Sequence, residues 1–477
     1  MLPWLAHGHV SPFFELAKLL AARNFHIFFC STAVNLRSVE PKLSQKLSSH
    51  VELVELNLPP SPELPPHRHT TAGLPPHLMF SLKRAFDMAA PAFAAILRDL
   101  NPDLLIYDFL QPWAAAEALS ADIPAVMFKS TGALMAAMVA YELTFPNSDF
   151  FSLFPEIRLS ECEIKQLKNL FQCSVNDAKD KQRIKGCYER SCGMILVKSF
   201  REIEGKYIDF LSTLLGKKVV PVGPLVQQTE DDVVSGSFDE WLNGKDRSSS
   251  ILVSFGSEFY LSREDMEEIA HGLELSQVNF IWVVRFPAGG ERNTTKVEEE
   301  LPKGFLERVR ERGMVVEGWA PQAQILKHPS VGGFLSHCGW SSVVESMKFG
   351  VPIIAMPMHL DQPLNSRLVE RLGVGVVVER DGRLRGEVER VVREVVVEKS
   401  GERVRKKVEE FAEIMKKKKD NEEMDVVVEE LVTLCRKKKK EEDLQSNYWC
   451  RTAIDDHCSE VVKIEDAAAA DEEPLCK

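Results

Sequence analysis

Short apolar runs alternate along this chain with stretches of helical periodicity, and polar or glycine positions close most of the runs. That alternation predicts parallel strands joined by helices. In the first half, Phe25 to Cys30, Val51 to Leu56, Leu104 to Tyr107, Ile123 to Phe128 and Met194 to Val197 read as strands. The opening MLPW reads as a very short strand, followed by a Gly-containing loop and a helix signalled by Ser11 as N-cap and Pro12 in its first turn. A long helical stretch is expected over Leu78 to Leu100, and an irregular segment over Pro146 to Asp177. In the second half, Ile251 to Phe255, Asn279 to Arg285, Met314 to Val316, Val331 to Leu335 and Val374 to Glu379 read as strands, with helices over Arg263 to Leu275 and Pro363 to Leu372. The polar, acidic stretch between the halves lacks periodicity. The expected division is an N-terminal α/β domain over 1–224, a linker over 225–240, a second α/β domain over 241–435 and a charged, disordered tail over 436–477.

A length of 477 residues, 44% hydrophobic and 27% charged, suits a globular chain with more than one domain. The formal net charge of −12 argues against a general nucleic-acid binder and does nothing to attract an anionic ligand, so a phosphate site must supply its own donors. The cysteines are scattered without C-x-x-C pairs or zinc spacing, pointing to reduced thiols and a cytoplasmic setting; no apolar run reaches the roughly 18 residues of a membrane span.

Candidate chemistry lies at the ends of the apolar runs, where α/β sheets meet ligands. Trp319 to Gln362 is the densest such stretch: Ser336, His337, Cys338 and Gly339 follow an apolar run, and a helix opens at Trp340, Ser341 and Ser342. A helix start presents unpaired N–H groups and the positive end of the dipole to a phosphate. Purely structural readings stand beside this one. Ser342 and Glu345 fit a capping box, Asp361 fits an N-cap, Trp319 fits core packing, and Cys338 reads as a small packed residue. Near the start, His9 lies beside an expected helix start whose dipole disfavours imidazolium, as suits a proton acceptor. Asp108 closes the Leu104 to Tyr107 strand, where it can orient that ring.

The stretch Trp319 to Gln362 resembles the plant secondary product glycosyltransferase signature of family 1 UDP-glycosyltransferases, matching W-x-P-Q, H-C-G-W, S-x-x-E, G-x-P and D-Q in order. The similarity runs from about Leu2 to about Cys435 and includes G-H-x-x-P at His9, D-x-x-x-x-W from Asp108 to Trp113, and F-G-S at Ser257. It implies a GT-B architecture, two Rossmann-like domains facing a cleft, with His9 as catalytic base and Asp108 as its partner. It implies that Trp319 stacks on uracil, Ala320 and Gln322 contact base and ribose, and Glu345 binds the ribose hydroxyls. His337, Ser342 and Ser257 then hold the diphosphate, with a phosphate contact at Ser341, Gly339 among the donor-binding residues, and Trp340, Asp361 and Gln362 on the sugar. Most members have Asn where Ser341 stands, and the first strand is short for the family.

The implied reaction is inverting transfer from UDP-glucose, without a metal or other cofactor, to a small-molecule acceptor by a monomeric enzyme; no D-x-D motif occurs. The stretches NFHIFFCSTAVNL and SFGSEFYLSREDMEEIAHGLE resemble plant glucosyltransferases that extend sugars already attached to triterpene (mogroside) and crocetin acceptors, commonly through a β-1,6 link. Transfer to an aglycone and use of UDP-rhamnose or UDP-xylose stay open. So do a nucleotide-sugar epimerase and a UDP-binding relative without turnover.

Overall fold

A computed structural model describes residues 1–170, 174–175, 178–227, 236–257, 259–286, 297–380, 382, 384–417 and 423–436. Two parallel sheets organise residues up to Val427, which form one unit. In the second sheet the strands lie in the order Gly313–Glu317, Asn279–Val284, Ser250–Ser254, Val331–Ser336, Ile353–Ala355, Gly375–Val377, all parallel. This is the doubly wound order, with its reversal between Ser250–Ser254 and Val331–Ser336, where a crevice opens at the carboxyl ends.

The first sheet follows the same logic through an economical centre. Ile27–Ser31 pairs with Val51–Glu55, and Leu105–Asp108, Ala125–Lys129, Met194–Val197 and Lys218–Pro221 form a separate parallel set. Met1 and Leu2 stitch the two sets together. The Met1 amino group donates to Phe28 O and Cys30 N–H to Met1 O, while Leu2 N–H donates to Ile106 O and Asp108 N–H to Leu2 O. The short first strand is thus reduced to a single bridge to Tyr107, yet it occupies the reversal point of its sheet.

Several expectations are corrected. The first helix is His7–Ala21, so Ser11 and Pro12 lie inside it and His9 is in its first turn, not ahead of it. Pro12 forfeits one helical hydrogen bond, while Phe13, Phe14 and Leu16 are buried in the core, a larger gain. The stretch over Leu78 to Leu100 is two helices, Met79–Met88 and Ala90–Leu100, with Pro91 at the start of the second. The segment expected to be irregular contains the helix Glu161–Asn169, opened by a capping box between Ser160 and Glu163. Part of the expected linker, 228–235, lies outside the described residues, and Gly236–Asn243 is helical. The expected tail lies outside them from 437 onward.

Leu2 is 0% exposed at the centre of the first sheet. Leu2→Ala is expected to lower the unfolding free energy by about 2–5 kcal/mol in urea denaturation; an unchanged midpoint would show that the stitch is dispensable.

Candidate active site

One wall of the site is set by the reversal point of the first sheet. Nδ1 of His9 lies 2.8 Å from Asp108 Oδ2 and 3.2 Å from Ser130 Oγ. Asp108 is fully buried; its Oδ2 also accepts from Trp4 N–H at 3.0 Å and its Oδ1 from Phe109 N–H at 2.8 Å. An ionised carboxylate only accepts, so the bond assigns the proton to Nδ1 and the lone pair of the neutral ring to Nε2. The Phe109 ring is 5.4 Å from the imidazole and has the Lys129 ammonium 3.7 Å from its centroid. His7 stands apart from this couple: its ring meets Trp319 edge-on at 5.2 Å, and burial, reinforced by Lys42 and Arg285, lowers its pKa to about 4.

The opposite wall is set by the reversal point of the second sheet. His337 follows the strand Val331–Ser336 and is flanked by Gly256 and Gly339. A Cβ added at either glycine would lie 2.6 Å or 2.5 Å from His337 Nε2, so only glycine leaves room for the ring. Gly256 also has φ of +81°, favouring glycine for the backbone itself. Burial, helped by His359 and opposed by the Ser254 backbone, lowers the His337 pKa to about 4 and keeps the ring neutral. Cys338 is buried, as expected, in a left-handed conformation at φ +64°.

The capping-box reading is corrected, while Asp361 does stand at the N-cap position of the helix Gln362–Leu372. The helix Trp340–Lys348 already starts at Trp340 with Gly339 as its N-cap, so Ser342 and Glu345 lie inside it. Instead, Gln322 Nε2 donates to Ser342 Oγ at 3.2 Å and to Glu345 Oε2 at 2.7 Å. Burial raises the Glu345 pKa, while Gln322 and Lys198 pull it down. Asp361 makes no side-chain cap bond; its Oδ2 accepts from Asn365 Nδ2 at 2.9 Å, and the same amide holds Cys338 O at 3.0 Å. Gln362 Oε1 accepts from the N–H groups of Met358 and His359, both at 3.0 Å. Trp319 is 59% exposed, which removes the core-packing reading, and has the Arg285 guanidinium 5.3 Å from its ring. Trp340 is buried, with its indole N–H donated to Lys198 O at 2.6 Å.

These residues meet in one cleft of about 910 Å³. Every donor-side position named from the sequence lines it, including Ser257, Ala320, Gly339 and Ser341, and so does His9; Asp108 stands behind His9. The sequence reading missed Ser130, Lys198, Arg285 and Asn365. For Lys198 a signal was present, since it directly follows the strand Met194–Val197 at the carboxyl edge. Among the described residues, no group of three or more His, Cys, Asp or Glu is placed to hold a metal ion.

Two family models match the chain. The family described as "UDP-glucoronosyl and UDP-glucosyl transferase" matches residues 218–428, and "Glycosyltransferase, N-terminal domain" matches residues 1–227. The chain is 55% identical over 417 residues to a mogroside IIIx synthase of Siraitia grosvenorii, covering 85% of this chain and 86% of that protein. It is 51% identical over 412 residues to the beta-D-glucosyl crocetin beta-1,6-glucosyltransferase of Gardenia jasminoides, covering 85% and 92%. The structure of Phytolacca americana UGT2 complexed with UDP-2fluoro-glucose and pterostilbene superposes with a TM-score of 0.70 at 25% identity, covering 91% of this chain and 98% of that one.

Gly256→Ala is expected to displace His337 and strain the turn, lowering stability by about 1–3 kcal/mol in urea denaturation. An unaltered unfolding curve would show that the imidazole is not confined there.

Proposed function

Because the chain belongs to the family of UDP-glucuronosyl and UDP-glucosyl transferases, we propose that it transfers glucose from UDP-glucose to a sugar hydroxyl of a small-molecule glycoside, inverting the anomeric carbon. The observation that carries this reading is the His9–Asp108 couple on one wall of the cleft, facing the amino end of helix Trp340–Lys348 on the other. The identities of the Siraitia and Gardenia enzymes support a glycoside acceptor of the triterpene or apocarotenoid type.

In this mechanism Nε2 of His9 takes the proton of the acceptor hydroxyl while its oxygen attacks the anomeric carbon. The bond from that carbon to the diphosphate breaks, and UDP leaves from the opposite face. Asp108 holds the ring in the required tautomer and stabilises the imidazolium as it forms. The indole of Trp319 offers its exposed face to uracil, with Ala320 beside it, and Glu345, oriented by Gln322, accepts from the ribose hydroxyls. His337, Ser257, Ser341, Ser342 and the N–H groups after Gly339 receive the diphosphate, where charge grows as the bond breaks. Asp361 and Gln362, fixed by Asn365 and the Met358–His359 turn, bind the sugar hydroxyls; Trp340 contributes through its backbone because its indole N–H is engaged by Lys198 O.

These hydrogen-bond donors replace a divalent ion at the diphosphate in this reading. It also places the enzyme in the cytoplasm as a single subunit. Among the described residues, no helix is long and apolar enough to cross a membrane.

Incubation with UDP-glucose and a panel of glycosides and aglycones, followed by mass and linkage analysis, is expected to give free UDP and a glycoside longer by one hexose. An isomerised sugar nucleotide would instead mark an epimerase, and UDP binding without any product a non-catalytic relative. His9→Ala should lower turnover by about 10²–10⁴-fold and keep UDP affinity within about threefold; full activity would exclude His9 as the base. Trp319→Ala should weaken UDP binding by about 1–3 kcal/mol in calorimetry while shifting stability by no more than about 0.5 kcal/mol, because the ring is exposed. Unchanged UDP affinity would remove the stacking role.

A further inference from the structure

Lys198 is 2% exposed, directly after the strand Met194–Val197, and is gripped by two consecutive residues of the opposite wall. Its Nζ donates to Ser341 Oγ at 2.7 Å, and its carbonyl accepts from Trp340 Nε1 at 2.6 Å. Trp340 and Ser341 are the first two residues of the helix whose amino end faces the cleft. Resting on the donor-site reading above, we propose that Lys198 is a diphosphate ligand, an ammonium that answers the leaving group's charge from the N-terminal half, with Ser341 aiming it.

The charges around the cleft single out this residue. The side chains placed at the diphosphate from the C-terminal half, those of Ser257, His337, Ser341 and Ser342, are all uncharged, since burial holds His337 neutral at pH 7. Among the described residues, the lysines and arginines lining the cleft are Lys18, Lys42, Lys198 and Arg285. Lys18 pairs with Glu15 at 2.7 Å, Arg285 lies over Trp319, and Lys42 acts electrostatically on His7. Lys198 reaches into the first turn of helix Trp340–Lys348 through its bond to Ser341. A serine side chain is short, and the lysine stem supplies the reach that its hydroxyl lacks.

The ligand-free state carries an electrostatic cost that a diphosphate would relieve. Burial lowers the Lys198 pKa to about 8, opposed by attraction from Glu345 on the facing helix and Glu15 on the first helix. Bringing a multiply charged anion beside the ammonium favours its protonated form. UDP binding is therefore expected to take up a proton near neutral to mildly basic pH, and UDP affinity to fall as pH rises through about 8.

The test compares UDP with uridine, which lacks the diphosphate, by titration calorimetry on wild-type protein, Lys198→Met and Lys198→Arg. Lys198→Met is expected to weaken UDP by about 10–100-fold while leaving uridine within about twofold, and Lys198→Arg to recover part of the loss. Across about pH 7 to 9, UDP affinity should fall in wild type beyond any change seen with uridine, and that extra fall should vanish in Lys198→Met. Equal weakening of both ligands would assign Lys198 a structural role and overturn the inference, as would unchanged UDP affinity in a folded Lys198→Met. Failure of the wild-type protein to bind either ligand would overturn the donor-site reading itself.

Discussion

A carboxylate shut away from water must be surrounded by donors or it gives up its charge. Asp108 meets that requirement with the N–H groups of Trp4 and Phe109 and the Nδ1–H of His9. Those donors converge only if the strand Leu105–Asp108 ends beside Leu2 and the first helix begins immediately after Ala6. Both conditions hold at the reversal point of the first sheet, so topology and side-chain chemistry support each other. The imidazole is fixed in one tautomer by a contact that is also part of the fold.

The facing wall follows a second constraint, the need to place polar groups around an open helix end. Gly256 and Gly339 make room for His337, Gln322 braces Ser342 and Glu345, and Asn365 ties Asp361 to the turn at Cys338. These contacts hold the polar groups of this wall in place before a ligand arrives. Trp340 joins this wall to the other: it packs in the hydrophobic cluster that contains the first sheet, and its indole N–H reaches Lys198 O.

Much of this was legible in the sequence because strand ends and glycine turns are local patterns. The strand Met194–Val197 matches its apolar run end to end, and Ser257 and His337, polar residues just after the strands Ser250–Ser254 and Val331–Ser336, do line the cleft. The failures share one cause. The S-x-x-E pattern describes a real capping box at Ser160 and Glu163, yet at Ser342 and Glu345 the helix has already begun and both side chains turn to Gln322. The pattern is identical; what differs is burial, since Ser160 is exposed while Ser342 is buried. Likewise Ser11 and Pro12 carry a helix-start signal that core packing of Phe13 and Phe14 overrides. The contact of Lys198 with Ser341 spans 143 residues and has no local signature.

The central claim is that Asp108 works through the imidazole and does more than stabilise the fold. Asp108→Asn keeps the size of the side chain and its capacity to accept from Trp4 N–H, but its amide can reverse the tautomer of His9. The direct measurement is kcat with UDP-glucose and a glycoside acceptor, read beside KM for the donor. The account predicts a fall in kcat of about 10³–10⁴-fold with donor KM nearly unchanged. Turnover within a few fold of wild type in a folded Asp108→Asn would contradict it.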